Sequence, residues 1–537
     1  MKISAVTLLA VFAVCIRVNA QVSKETVQSV STPDKVVTSH LGTLKFKDGV
    51  PDAATHQKLY DELDYIHGVD AFMNGFPAVS QFAIRKGFKD AGVNDNDVLV
   101  FSGLMDSRSV FLTANADTYY FWTYVDLTKG PMVVEIPPGV LGVFDDMWWR
   151  WICDIGTPGA DRGVGGKYLL VPPGYNGTIP EGGYFIGRCR TLQASLLGRA
   201  FLTNNSPKEA DETLKKQFRI YPYAEGGWGS SVGKFLEGEG KLGAITSSTP
   251  EMKFVEGTGR EMNTVPPNDY SFYEMLNEAI QSQPASALDP EVAGHFAAIG
   301  IVKDKPFNPD TRLKKILLES ATVGNAMSRN VSLNARSSEG FNYYGADSKW
   351  LIPLFIGGYD FQTPPPMVTR EGVKLLPDDG AKKLNARIAM FYAATGITPA
   401  MCMRLPNLGS QYLGSGYDKN NNPFDGAKTY KIVLPAHIPA ALFWSLTLYD
   451  NQTRSMLQTP QRYPRAGSQS YPTPAAVANT DGTFTIYFSP TKPPAVSDGN
   501  WIQTVPGKGW FTLFRLYSPL PAYFEKTWVL PDIEEVK

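Results

Sequence analysis

Three carboxylates, three indoles and a guanidinium fall within the twelve residues VFDDMWWRWICD, positions 143–154. A core strand is built from residues such as Val and Ile, and a solvent-facing strand has no need of Trp148, Trp149 and Trp151 together. Read as one extended strand, the segment puts Phe144, Asp146, Trp148, Arg150, Ile152 and Asp154 on one face, successive members about 6.6–6.8 Å apart. Asp145, Met147, Trp149, Trp151 and Cys153 take the other face. The first face mixes charges with an indole, and buried charges without partners are costly. One reading is a groove for a sugar-sized ligand. Trp148 is then a stacking platform, Arg150 and Asp146 bind hydroxyl or carboxylate groups, and Asp154 is a partner carboxylate. The other reading is a satisfied buried network, with Arg150 paired to Asp146 or Asp154 and the tryptophans in the core.

A second cluster, Asn115, Asp117 and Thr118, precedes an aromatic run holding Tyr119, Tyr120 and Trp122. Asn and Asp there can simply cap a turn. If the turn borders the groove, Asn115 and Tyr119 contact the ligand and Asp117 is a further catalytic carboxylate. Glycoside hydrolysis needs two carboxyls about 5–10 Å apart, a distance that sequence does not supply. Near the C-terminus, YDNQTRSM sets Asp450, Asn451 and Arg454 at a hairpin, and RLYSP sets Arg515 and Tyr517 on one strand face. Arg454 and Arg515 are candidates to receive an anion; the alternative is ion pairs tying strands together.

Other motifs lead nowhere. GSSVG (229–233) matches a nucleophile elbow in letters but follows YAEGGW, not an apolar strand. RGVGGKY (162–168) lacks the first glycine of a phosphate loop and has Tyr168 where a magnesium-binding hydroxyl belongs. The five histidines, His40, His56, His67, His295 and His437, form no metal-binding spacing. We expect no cofactor, with an oxygen-ligand calcium site left open. Nothing resembles a dinucleotide fingerprint.

These residues sit in a 537-residue chain, 43% hydrophobic and 19% charged, with a net charge of −1. Near-neutral charge gives no electrostatic footprint for nucleic acid. The first 20 residues read as a secretory signal: Lys2, an apolar stretch from Ile3 to Ile16, and VNA at 18–20. The expected location is therefore periplasmic or extracellular. No later segment is apolar enough to span a membrane. Cys153, Cys189 and Cys402 remain after cleavage. They allow one disulfide at most, and sequence does not choose the pair.

The positioning elements follow from periodicity. Residues 21–54 read as a flexible lead, and 52–88 as one or two helices interrupted near Gly75-Phe76-Pro77. Seven short strands separated by turn residues follow between 98 and 190, and LQASLLGRAFL (192–202) reads as a closing helix. Helical patterns occupy 206–345, the longest at 308–336, and strands return at 429–435, 441–450, 483–490 and 509–519. The expected class is α+β, mainly β: a strand-rich N-terminal domain (55–205), a mainly helical link (206–399) and a strand-rich C-terminal domain (400–537).

TANADTYYFWTYVDLTKGPMVVEIPP with GGKYLLVPPGYNG resembles the family called domain of unknown function 1254. FWSLTLYDNQTRSMLQTPQRYP with DGTFTIYFSP and NWIQTVPGKGWFTLFRLYSPLPAYFEKTW resembles domain of unknown function 1214. The resemblance runs from about residue 55 to the end. It implies β-sandwich domains of jelly-roll type at both ends, in secreted or periplasmic bacterial proteins, and no settled activity. The family's commoner TPNNDT stands here as TANADT, which keeps Asn115, Asp117 and Thr118. Three functions are open: a hydrolase of carbohydrates or glycoconjugates, a non-catalytic protein binding a glycan or small molecule, and an envelope structural protein.

Overall fold

The computed structural model describes residues 22–223, 251–363, 367–369, 372–374 and 380–537. The expected signal segment and GSSVG lie outside the described residues. The chain divides into two units, Met1–Asp64 and Tyr65–Lys537. In the first unit, the stretch expected to be a flexible lead is structured. Ser23 caps a helix over Lys24–Val30 by accepting from Thr26 N. A three-stranded sheet follows over Lys35–Thr38, Gly42–Lys47 and Val50–Pro51.

The helical pattern after residue 52 is one helix, Ala53–Asp90, and not two: Pro77 lies inside it without ending it. Proline removes one backbone bond, but Phe72, Phe76, Ala78 and Val79 around it are buried. Packing of that buried face outweighs the local loss. Gly68 lets this helix approach the helix Thr311–Leu333, because a Cβ there would lie 2.5 Å from Ser320 Oγ. The helices Lys208–Gln217, Ser271–Ser282, Pro290–Ala297 and Thr311–Leu333 form where their apolar spacing predicts them.

The chain is mixed α/β, with many strands in sheets. A six-stranded sheet runs in the order Phe254–Glu256, Val98–Val100, Tyr119–Asp126, Gln193–Ala200, Val140–Asp146, Trp151–Gly156. Its fourth strand is the segment LQASLLGRAFL, expected to be a helix. Central strands buried on both faces read as unbroken apolar runs, which periodicity does not separate from a buried helix. Gly198 in that strand is where Phe121 crosses: a Cβ would lie 2.1 Å from the ring.

Alternation sorts this sheet's residues between two cores. Tyr119, Phe121 and Val125 face a smaller core shared with the four-stranded sheet of Met132–Ile136 and Gly166–Val171. Trp122 and Tyr124 face a larger one. That larger core also takes the helices and the C-terminal sheet of Ser410–Ser415, Trp510–Pro519, Ala440–Asp450 and Arg465–Gly467. Both strand-rich ends and the helices between them thus belong to the unit Tyr65–Lys537. Among the described residues no helix is long and apolar enough to cross a membrane.

Candidate functional site

The segment VFDDMWWRWICD is a hairpin and not a continuous strand. Strands Val140–Asp146 and Trp151–Gly156 pair antiparallel around a turn in which Trp149 adopts φ 54°. Asp146 builds the turn. Its Oδ1 accepts from the backbone N–H of Trp148 and Arg150 at 2.9 and 3.0 Å, and its Oδ2 from Arg150 Nε at 2.7 Å. The one-face alternation expected for the segment therefore fails at Asp146. Trp148 is buried and stacks on Phe296, with centroids 5.8 Å apart, so it offers no open platform. Asp154 is buried and accepts from Thr398 Oγ1 at 2.5 Å. Burial pushes its carboxyl up to about 7, against the lowering effect of the Thr398 hydrogen bond. Cys153, Cys189 and Cys402 are free thiols.

Asp117 is also engaged on all sides. Arg465 Nε donates to its Oδ1 at 2.8 Å, and Ser445 Oγ and Tyr517 Oη donate to its Oδ2 at 2.6 and 3.0 Å. Neither side chain of the Asp117–Arg465 pair is exposed. Tyr119 faces the smaller core and donates to Asp211 at 3.0 Å. Arg454 is buried against the Tyr392 ring, 4.0 Å from its centroid, and burial pushes its guanidinium down to about 10.

Two of the residues expected to bind ligand, Asn115 and Arg515, line a common cavity of about 180 Å3. Its wall is mainly apolar: Met105, Phe111, Trp122, Leu197, Leu333, Leu351, Leu354, Met390, Met401, Phe511 and Leu513 contribute. Polar groups come from Thr113, Asn115, Tyr120, Ser332, Thr395, Tyr412, Ser415 and Arg515. Two strand pairings set this group. Arg199 sits opposite Tyr120 in the N-terminal sheet, and Arg515 sits opposite Tyr412 in the C-terminal sheet. The two Tyr–Arg pairs then meet: Arg199 Nη1 donates to Tyr412 Oη at 3.3 Å, and its Nη2 to Ser410 Oγ at 3.1 Å.

Arg515 is 2% exposed. Its Nη2 donates to Thr113 O at 2.7 Å, while its Nε and Nη1 have no hydrogen-bond partner. Thr113 itself is held at φ 43°, a left-handed conformation that costs a non-glycine residue about 1–3 kcal/mol. Neither Arg199 nor Arg515 forms an ion pair with a carboxylate among the described residues. Buried cations without counter-charges are expensive. The nearby tyrosines respond in opposite senses. Burial raises both, but at Tyr412 the Arg199 and Arg515 guanidiniums outweigh it and lower the phenol below its ordinary value. At Tyr120 burial prevails and the phenol is raised. Asn115 spans turn and cavity. Its Oδ1 accepts from Asp117 N and Thr118 N at 2.9 and 3.2 Å, while Nδ2 donates to Tyr120 Oη at 2.6 Å.

Arg199, Tyr120 and Tyr412 were not anticipated as site residues. Arg199 had one signal, a lone charge inside an apolar run, which burial obliges to find partners. Among the described residues no group of three or more His, Cys, Asp or Glu side chains is placed to hold a metal ion.

No curated protein matches the chain. Among solved structures, it is similar to a protein from Vibrio parahaemolyticus at 17% identity and a TM-score of 0.48, covering 88% of this chain and 100% of that one. It is also similar to an uncharacterised protein from Burkholderia cenocepacia at 12% identity and a TM-score of 0.35, covering 90% and 97%. The strand-rich end that contributes Asn115, Tyr120 and Arg199 matches a protein of unknown function, DUF1254, over residues 96–222. The end that contributes Tyr412 and Arg515 matches a protein of unknown function, DUF1214, over residues 409–521. The chain therefore carries a region matching each of these two domains of unknown function, in this order.

Proposed function

We propose that the protein binds a small organic anion, a carboxylate on an apolar skeleton, in the cavity between its two strand-rich ends. One observation carries this reading: the buried Arg515 lines an apolar cavity and has no carboxylate ion pair among the described residues. An anion there supplies a missing counter-charge, a charge-assisted pairing that a guanidinium favours. The size is that of a compact ligand. An apolar cavity of about 150 Å3 takes a benzene ring, and this one is about 180 Å3.

This is the binding alternative to a carbohydrate-directed hydrolase. Against the hydrolase, Asp117, Asp146 and Asp154 are each tied to protein donors, and none lines the cavity. A jelly-roll arrangement of the two ends adds no activity to either reading, because such folds host unrelated functions. Export by the leading segment, to periplasm or medium, belongs to the proposal and rests on the charged, apolar and small-residue pattern of residues 1–20.

The test is calorimetric titration with trans-cinnamate and, as its neutral counterpart, cinnamyl alcohol. Cinnamate should bind, and Arg515→Met should weaken it at least about tenfold, ~1.4 kcal/mol, while leaving the alcohol little changed. Cinnamate binding that ignores the substitution, or no binding of either compound, removes the reading.

A further inference from the structure

Two phenols line one apolar cavity, and the fold treats them differently. Tyr120 Oη accepts a hydrogen bond from the Asn115 amide and keeps its own proton free to donate. Tyr412 Oη accepts from Arg199 and has a second guanidinium, Arg515, as its cross-strand neighbour, with that carbon 5.8 Å from its ring centroid. A binding pocket needs neither distinction. Two titratable groups in one site whose surroundings push them apart mark an acid and a base.

We propose that the cavity catalyses proton transfer on an enolisable 2-oxo acid, with Tyr412 as the base and Tyr120 as the acid. This rests on the anion-binding reading, with Arg515 holding the carboxylate. The ionised Tyr412 oxygen takes a proton from the carbon next to the ketone. The C–H pair becomes the enol double bond, the carbonyl π pair moves to oxygen, and that oxygen takes the proton of Tyr120. Reversal restores both groups. Protons and electrons balance between keto and enol forms, and no oxidant, reductant or co-substrate is used. The new phenolate at Tyr120 is held by the Asn115 amide, which makes Asn115 a positioning residue.

The charges around Tyr412 favour its base form. Arg199 and Arg515 face it directly, Tyr120 lies within electrostatic reach of it, and Tyr517, Tyr449 and Asp117 act on the same guanidiniums. Asp117 is the one carboxylate in that set, and Arg465 neutralises it. The lowered phenol of Tyr412 and the raised phenol of Tyr120 agree with the assignment in direction.

The probe is phenylpyruvate in deuterium oxide with the full chain, following loss of its benzylic protons by NMR against buffer alone. The native protein should accelerate exchange. Tyr412→Phe and Tyr120→Phe should each lower the rate by about 10²–10⁴-fold, the scale of acid–base catalysis, while calorimetry shows phenylpyruvate still bound. Independently of any ligand, an alkaline absorbance titration should show one phenolate forming ahead of the others, lost in Tyr412→Phe. Bound phenylpyruvate without exchange overturns the proposal and leaves the binding reading standing. So does exchange that survives Tyr412→Phe, or a titration with no early phenolate. Failure to bind phenylpyruvate or cinnamate removes the binding reading, and this proposal with it.

Discussion

Arg199 donates to the phenol oxygen of Tyr412 at 3.3 Å, joining residues 213 positions apart that belong to different sheets. Arg199 forms no carboxylate ion pair among the described residues, so this phenol is its nearest means of charge compensation. The relationship also orders the cavity: Arg199 lies beside Tyr120 and Arg515 beside Tyr412, so the charges gather at the two phenols of a mainly apolar wall.

A first prediction concerns that contact. Arg199→Met removes one of two cations favouring the ionised phenol, so Tyr412 should ionise at higher pH than in the native protein. Stability should fall by about 1–3 kcal/mol, because the buried Ser410 and Tyr412 oxygens lose the donor that Arg199 gives them. The difference titration against Tyr412→Phe measures the first effect and urea unfolding the second. An unmoved phenolate would mean that Arg199 is only a strand tie.

How much of this was legible depends on whether a signal is local. The strands Tyr430–Leu434, Ala440–Asp450, Phe484–Ser489 and Trp510–Pro519 lie within a residue or so of their expected bounds, because half-buried alternation and flanking turns are local facts. Arg515 was singled out from a local fact too: RLYSP sets it with Tyr517 on one strand face. Pairing register is not local. Nothing in GRAFL or SQYLGS says that Arg199 will face Tyr412. Reading LQASLLGRAFL as a helix also hid which face Arg199 takes. The twelve-residue cluster misled through a related gap. Asp146 folds its own turn, and periodicity does not reveal a turn made by a side chain.

Asp117→Asn should cost stability more than it costs chemistry. The substitution leaves Arg465 buried without its counter-charge and weakens the acceptor for Ser445 and Tyr517. Breaking one side of a buried pair typically costs about 3–5 kcal/mol. Urea unfolding of Asp117→Asn should show a loss of that order, partly recovered by adding Arg465→Met, which removes the stranded charge. A stable variant with weakened ligand binding would instead place Asp117 in the site.

Gly198→Ala tests the packing of the central strand. The added methyl would lie 2.1 Å from Phe121 Cζ, so the ring or the strand must shift. Overpacking of this kind costs about 1–3 kcal/mol. Thermal unfolding should show the loss, and Phe121→Leu in the same chain should restore part of it by vacating the space. Were Ala tolerated alone, the sheet would have slack next to Arg199 that the geometry does not show.

Asp154 makes stability depend on pH in the less usual direction. Its folded carboxyl is pushed by burial up to about 7, whereas an unfolded aspartate titrates near 3.9. Between those values the folded state holds a proton that the unfolded state has released, so unfolding gains relative stability as pH rises. The contribution is fully present below about pH 4 and is lost by about pH 7, a change on the order of 4 kcal/mol for three pK units. Asp154→Asn keeps an acceptor for Thr398 and cannot ionise. Native and variant should therefore unfold at similar urea concentrations near pH 4, and the variant should be the more stable at pH 8. A native-minus-variant difference that stays flat across this range would mean that Asp154 is ionised throughout, and that its Thr398 contact outweighs its burial.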